Sequence, residues 1–221
     1  MLTLHHLNNS RSQRILWLLE ELGVPYEIKR YQRDPVTMLA PAELKAVHPL
    51  GKSPVVTDGA LTLAESGLIV EYLIERHGKG RFAPAPGSDA RLDFRYWLHY
   101  AEGSLMPLLL MKLVFRRVAQ TPAPFYIRPV LKKVANGAQQ GFVDPQLKLH
   151  LDYLEARLGN SEWFVDNTLS GADMQLSFPL EAASARAGFA DYPRLAAFLA
   201  RVHARPAYQR ALEKGGPYRL A

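Results

Sequence analysis

Gly51-Lys52-Ser53-Pro54-Val55-Val56, followed shortly by Ala64-Glu65-Ser66-Gly67, is the stretch on which the reading of this chain turns. Proline has no backbone N–H and sits badly inside a sheet ladder, so Pro54 ahead of Val55-Val56 marks a turn from which a strand starts. X–Pro bonds are the ones that populate cis, and Ser53–Pro54 is a candidate. A cis bond there exposes a neighbouring backbone N–H and C=O, with which a bound peptide can pair as an added strand does. Glu65 and Ser66 stand at the start of the apolar run 68–74. A helix N-terminus offers free N–H groups and a positive dipole end, which suit a carboxylate. Ser66 can donate to that carboxylate and Glu65 can accept from a nearby ammonium. Together the two stretches read as a site for a small zwitterionic peptide.

Upstream, residues 2–7 alternate as a short strand, and Asn8-Asn9-Ser10 is turn chemistry and a natural helix cap. Ile15, Leu16, Leu18, Leu19 and Leu22 recur at helical spacing until Gly23 and Pro25. A second strand is expected over 26–31 and a short helix over 42–47, closed by His48-Pro49. Strands at 55–57 and 61–63 flank the hairpin signal Asp58-Gly59, and a helix over 65–77 ends at Gly78. The order β-α-β-α-β-β-α predicts a thioredoxin-like α/β domain over 1–80, parallel at its start and antiparallel at its edge.

Residues 81–87, rich in Pro and Gly, read as a linker, and 88–221 as an all-helical second domain. A long helical pattern covers 90–117 with a kink at Pro107. The proline-bearing segment 121–145 is expected to be partly irregular, and helices follow over 146–158, 193–204 and 207–212. Ser170-Gly171-Ala172-Asp173 has the form of a capping box before an apolar run.

The chain has 221 residues, of which 48% are apolar, enough for a sizeable core. It has no cysteine, which excludes disulfides, cysteine–metal sites and a protein thiol nucleophile. The apolar stretch through 105–115 is interrupted by Pro107 and Lys112 and is too short for a bilayer, and the start lacks a signal-peptide pattern. A cytoplasmic protein is expected. The net charge of +6 raises nucleic-acid binding. The cations read as spread out, however, with tight clusters at Arg116-Arg117 and Lys132-Lys133, and no nucleic-acid-binding motif is present. The charge reads as a solvated surface that attracts anionic substrates.

These residues resemble the soluble, cytosolic-type glutathione transferases over nearly the whole chain. The resemblance is carried by Ser10-Arg11-Ser12-Gln13-Arg14, Leu16-Trp17-Leu18-Leu19, Glu43-Leu44-Lys45, the run from His48 to Pro54, Ala64-Glu65-Ser66-Gly67 and Ser170-Gly171-Ala172-Asp173. Its details look closest to a serine-type subgroup of fungi and bacteria. The resemblance implies an enzyme that binds glutathione as co-substrate and no metal. Such an enzyme lowers the pKa of the bound thiol and adds the thiolate to hydrophobic electrophiles in detoxification, with hydroperoxide reduction as a further activity. A two-fold homodimer through the helices around 65–77 and 91–105 is implied as well. The alternatives are a narrower glutathione-dependent isomerase or dehalogenase, and a non-catalytic binding protein on the same fold.

By the same resemblance Ser10 donates a hydrogen bond to the thiolate. In serine-type relatives that serine stands four or five positions before the arginine that starts the apolar helix. Ser10 is four before Arg14, Asn9 five, and Ser12 is a third candidate in the loop. Glu65 and Ser66 hold the γ-glutamyl end, and Ser53 beside Pro54 offers backbone groups to the cysteinyl part. Lys52, with His48 as a second candidate, faces the glycine carboxylate. An electrophile pocket between the domains draws on Leu7, Tyr100 and Ser104. Ser170 and Asp173 are read as structural, and Ser10 and Ser66 could themselves be no more than helix caps.

Overall fold

A computed structural model describes residues 1–218 and Leu220. Its N-terminal part is a mixed α/β domain and the remainder is all α, as expected. Strand β1 (Leu2–Leu7) leads through helix α1 (Ser12–Leu22) to β2 (Glu27–Tyr31), which pairs with β1 in parallel. After the short helix α2 (Ala42–Val47), β3 (Val55–Asp58) returns antiparallel to β1 and pairs with β4 (Leu61–Ala64), giving the order β2-β1-β3-β4. Gly59 turns the β3–β4 hairpin at φ 58°, a left-handed value that costs glycine little. Helix α3 (Ser66–His77) completes this half.

Every residue of α1 except Glu21 is buried, because α1 is sandwiched between the sheet and helices of the second half. It ends as its sequence dictates: Gly23 adopts φ 68° and its N–H bonds the Leu19 carbonyl at 3.0 Å. Leu44 anchors α2 in a separate small cluster with Leu7 and Tyr31.

The helical half contains α4 (Asp89–Tyr100), α5 (Met106–Ala119), α6 (Arg128–Ala138), α7 (Asp144–Leu158), α8 (Gly171–Ala187), α9 (Pro193–His203) and α10 (Pro206–Gly215). The pattern over 90–117 is thus two helices, joined by a π-turn at Ala101–Leu105. A second π-turn at Gln139–Val143 joins α6 to α7. Both precede a proline at the second position of the next helix, Pro107 and Pro145, and both hold a glycine four residues before it, Gly103 and Gly141. A proline lacks the N–H for the carbonyl four residues back and crowds it. Widening that turn relieves the crowding without a break in the helix path. Segment 121–145 is partly irregular, as expected: 121–127 is coil and turn, and the rest is helical because Pro129 and Pro145 sit in first turns where proline is tolerated.

The capping box at α8 forms as read. Ser170 Oγ accepts from the Ala172 N–H, and Asp173 accepts from the Ser170 and Phe164 N–H groups at 2.8 and 2.9 Å. Gly171 donates to the Phe82 carbonyl at 2.8 Å, and a Cβ there would lie 2.5 Å from Ile74 Cδ1. The start of α8 is thereby pressed onto α3 and the chain after it.

Candidate active site

Ser10 lies in the turn between β1 and α1. It is not the N-cap: that position is Arg11, without a side-chain cap bond. Instead Ser10 Oγ accepts from the Ser12 N–H at 3.3 Å, shares a 2.8 Å hydrogen bond with Ser12 Oγ, and donates to Ser53 Oγ at 3.4 Å. Ser53 Oγ donates to the His5 carbonyl at 3.0 Å and accepts from the Leu7 N–H at 3.3 Å. The Ser53–Pro54 bond is cis, as its sequence position predicts. This run of hydroxyls joins the β1–α1 turn to the proline loop.

The three loop candidates differ in accessibility. Ser12 has no solvent exposure, and its hydroxyl is shared with His6 Nδ1 at 2.8 Å. It cannot reach a ligand. Asn9 is exposed in a left-handed conformation (φ 48°). Ser10 retains 4% exposure at the end of the hydroxyl run. Burial pushes the His6 imidazole down to about 4, against the pull of its hydrogen bond with the Gly215 backbone and aided by the charge of Arg30. His6 is therefore neutral at pH 7. Gly215 comes this close because it has no Cβ, which would lie 2.8 Å from Gln13 Oε1.

Glu65 is exposed and Ser66 buried at the start of α3. Glu65 takes the N-cap position at φ 70°, ψ 116°, and its side chain makes no cap bond. A non-glycine residue at such a φ is strained, and strain of this kind collects at functional sites. Ser66 is not a side-chain cap either; its Oγ accepts from Gln175 Nε2 of α8 at 3.0 Å. The bland explanation of the pair, a capped helix, is thus absent. Lys52 is exposed beside Ser53, and His48 is half-buried.

The expected electrophile-pocket residues are placed differently. Leu7 is 2% exposed and packs on Tyr31 and Leu44. Tyr100 is 6% exposed, is ringed by Trp97, Tyr96 and Tyr153, and shares its hydroxyl with His150 Nδ1 at 2.5 Å. Both side chains are engaged in packing. Ser104 is half-buried in the first π-turn.

Residues to which the sequence reading gave no role frame the site. Arg14 is fully buried, and a buried charge requires partners. Glu102, in the first π-turn, pairs with Arg14 through one oxygen and with Arg11 Nε at 2.8 Å through the other. Burial pulls the Glu102 carboxyl up, but Arg14 and Arg11 outweigh it and hold it below its ordinary value. Arg14 Nη1 also donates to the Gln175 carbonyl at 2.6 Å. That carbonyl is free because Pro179, four residues on within α8, has no N–H to fill it. A proline inside an apolar helical run was the signal for this contact.

Among the described residues no cluster of His, Asp or Glu could hold a metal ion, and no helix is long and apolar enough to cross a membrane.

Residues 1–75 match the glutathione S-transferase N-terminal domain family and residues 123–215 the glutathione S-transferase C-terminal domain family. Glutathione S-transferase 3 of Schizosaccharomyces pombe is 39% identical over 83% of this chain and 74% of its own length. Glutathione S-transferase 1 of Saccharomyces cerevisiae is 35% identical over 97% of this chain and 95% of its own. A crystal structure of a glutathione S-transferase from Actinobacillus pleuropneumoniae superposes with a TM-score of 0.82 at 38% identity, covering 97% of this chain and 93% of that one.

Proposed function

The chain belongs to the glutathione S-transferase family, and on that premise we propose that it binds glutathione, stabilises its thiolate through Ser10 and transfers it to electrophilic small molecules. The observation that carries this reading is the approach of Ser10 to Ser53, which sets a hydroxyl donor against the cis-proline loop. A peptide paired with the backbone beside Pro54 has its cysteine next to Ser10. Donation to the sulfur favours the ionised thiol, and the start of α1 adds its dipole.

In this arrangement Ser66 donates to the γ-glutamyl carboxylate and Glu65 accepts from the amino group. Ser53 and Pro54 present the backbone to the cysteinyl part, and Lys52, with His48 behind it, faces the glycine carboxylate. The working division is an α/β domain over 1–80, a linker over 81–87 and a helical domain over 88–221. Exposed Leu68 on α3 with Leu92 and Tyr96 on α4 supplies an apolar face for a two-fold homodimer.

Calorimetric titration with glutathione across pH tests the reading. Micromolar-to-millimolar binding with proton release near neutral pH is expected. Absence of binding would leave a scaffold without turnover.

A further inference from the structure

The turn that enters α6 and the outer face of that helix leave large apolar side chains in water. Phe125 is 81% exposed and Tyr126 64%, and their rings meet edge to face at 5.4 Å. The Ile127 and Arg128 N–H groups donate to the Pro124 carbonyl at 2.9 and 3.3 Å, so the turn runs directly into the helix. Ile127, Val130 and Val134 then recur at helical spacing on one face, and all three are exposed. Helix α6 already packs against α5, and of its residues only Ala135 is fully buried. The stripe is therefore not consumed by internal packing. Single apolar side chains in water are ordinary, but a contiguous set of them marks a contact surface.

The net charge gathers on the same helix pair. Of 27 lysines and arginines, six lie in residues 103–143, which contain no acidic residue, and the rest of the chain balances at 21 cations and 21 acids. Three of the six, Arg128, Lys132 and Lys133, are on α6 and exposed. Arg128 Nε donates to the Ala123 carbonyl at 2.9 Å, which holds its guanidinium at the turn that carries Phe125. Lys133 stands three positions after Val130 and next to Val134, so it borders the stripe.

Apolar side chains rimmed by cations fit a surface that is negative at its edge and apolar beneath. A nucleic acid would engage the cations and leave Val130 and Val134 in water. A second copy of this chain, seated face to face, would set the cations of one α6 against those of the other. We propose that this face docks on a bilayer that contains anionic lipid. Phe125 and Tyr126 enter the headgroup layer, α6 lies along it, and Arg128, Lys132 and Lys133 meet the lipid phosphates. The attachment is peripheral and independent of the glutathione reading.

The test is co-sedimentation of the full chain with vesicles of phosphatidylglycerol and phosphatidylcholine, and with vesicles of phosphatidylcholine alone. Binding to the anionic vesicles should be about tenfold stronger and should weaken as salt rises. Phe125→Ser/Tyr126→Ser should lower it about tenfold and Lys132→Gln/Lys133→Gln about twentyfold. All four positions are exposed, so thermal melts should not move. Leu149→Ser, at an exposed leucine of α7, should leave binding unchanged. In Phe125→Trp the added emission should shift to the blue on anionic vesicles and be quenched by brominated lipid. The native Trp17, Trp97 and Trp163 are buried and should not respond. No binding to anionic vesicles overturns the proposal, as does binding that neither double variant weakens, or an unquenched Phe125→Trp. If the serine variant instead splits a dimer and no vesicle binding is seen, a second copy covers the face. If the lysine variant instead loses salt-sensitive binding to RNA, with no vesicle binding in the wild type, the face belongs to nucleic acid. Either result also overturns the proposal.

Discussion

Gln175, on α8, donates from Nε2 to Ser66 Oγ at 3.0 Å and so fixes the first residue of α3 from the other half of the molecule. With its oxygen already accepting, the Ser66 hydroxyl keeps its one proton for an outside acceptor. Ser66→Ala should raise the Kd for glutathione about tenfold, or ~1.4 kcal/mol. Gln175→Leu should raise it several-fold, and the double variant no more than Ser66→Ala. Additive costs by calorimetry would show that Gln175 acts elsewhere.

Ser10→Ala should bind glutathione with little change in Kd yet lose about a hundredfold in kcat, the scale of one lost donor to a developing anion. The thiolate absorbance of bound glutathione should then titrate at higher pH. Unchanged turnover would move the donor to Asn9 or a backbone N–H, because Ser12 is sealed off by burial.

Glu102→Gln should cost about 3 kcal/mol of stability by denaturant unfolding, because it leaves the Arg14 guanidinium buried without a counter-charge. A loss no larger than that of a surface substitution would mean that the Gln175 carbonyl alone satisfies Arg14.

The neutral His6 gives a pH dependence with a definite sign. Its folded-state pKa, about 4, lies below the ordinary 6.5. The stability it contributes is therefore complete above the unfolded value and is lost as pH falls towards the folded one. Thermal melts should weaken between about pH 6.5 and 4 in the wild type and less so in His6→Asn. Parallel curves would assign the acid sensitivity to other groups.

The sequence was most legible where a single residue's backbone chemistry decides the conformation. Gly23 after α1, Pro54 before β3, Gly59 in the hairpin and the Ser170–Asp173 box all act within a few residues of themselves. Segment 121–145 was legible only as partly irregular, because proline is a breaker inside a helix and a starter in its first turn, and where the irregular 121–127 gives way to helix cannot be told without knowing where the helix begins. The Ser66–Gln175 and Arg14–Glu102 contacts span 109 and 88 positions and were beyond local reading. For Leu7 and Tyr100 the sequence could not tell a cleft from a core, because an apolar side chain lining one and an apolar side chain filling the other have the same spacing. Only the packed neighbours separate them.

The two π-turns make the chain tolerant of length in a rotational sense. An α-helix advances about 100° per residue, and a π-turn absorbs one residue of that phase. Deleting Gly103 would turn the junction into an ordinary α-turn and leave the azimuth of α5 nearly unchanged, so that the Leu109 carbonyl still meets Arg186. What returns is the crowding of Pro107 against the carbonyl four residues back, so a one-residue deletion here costs backbone fit and not the direction of the side chains beyond it.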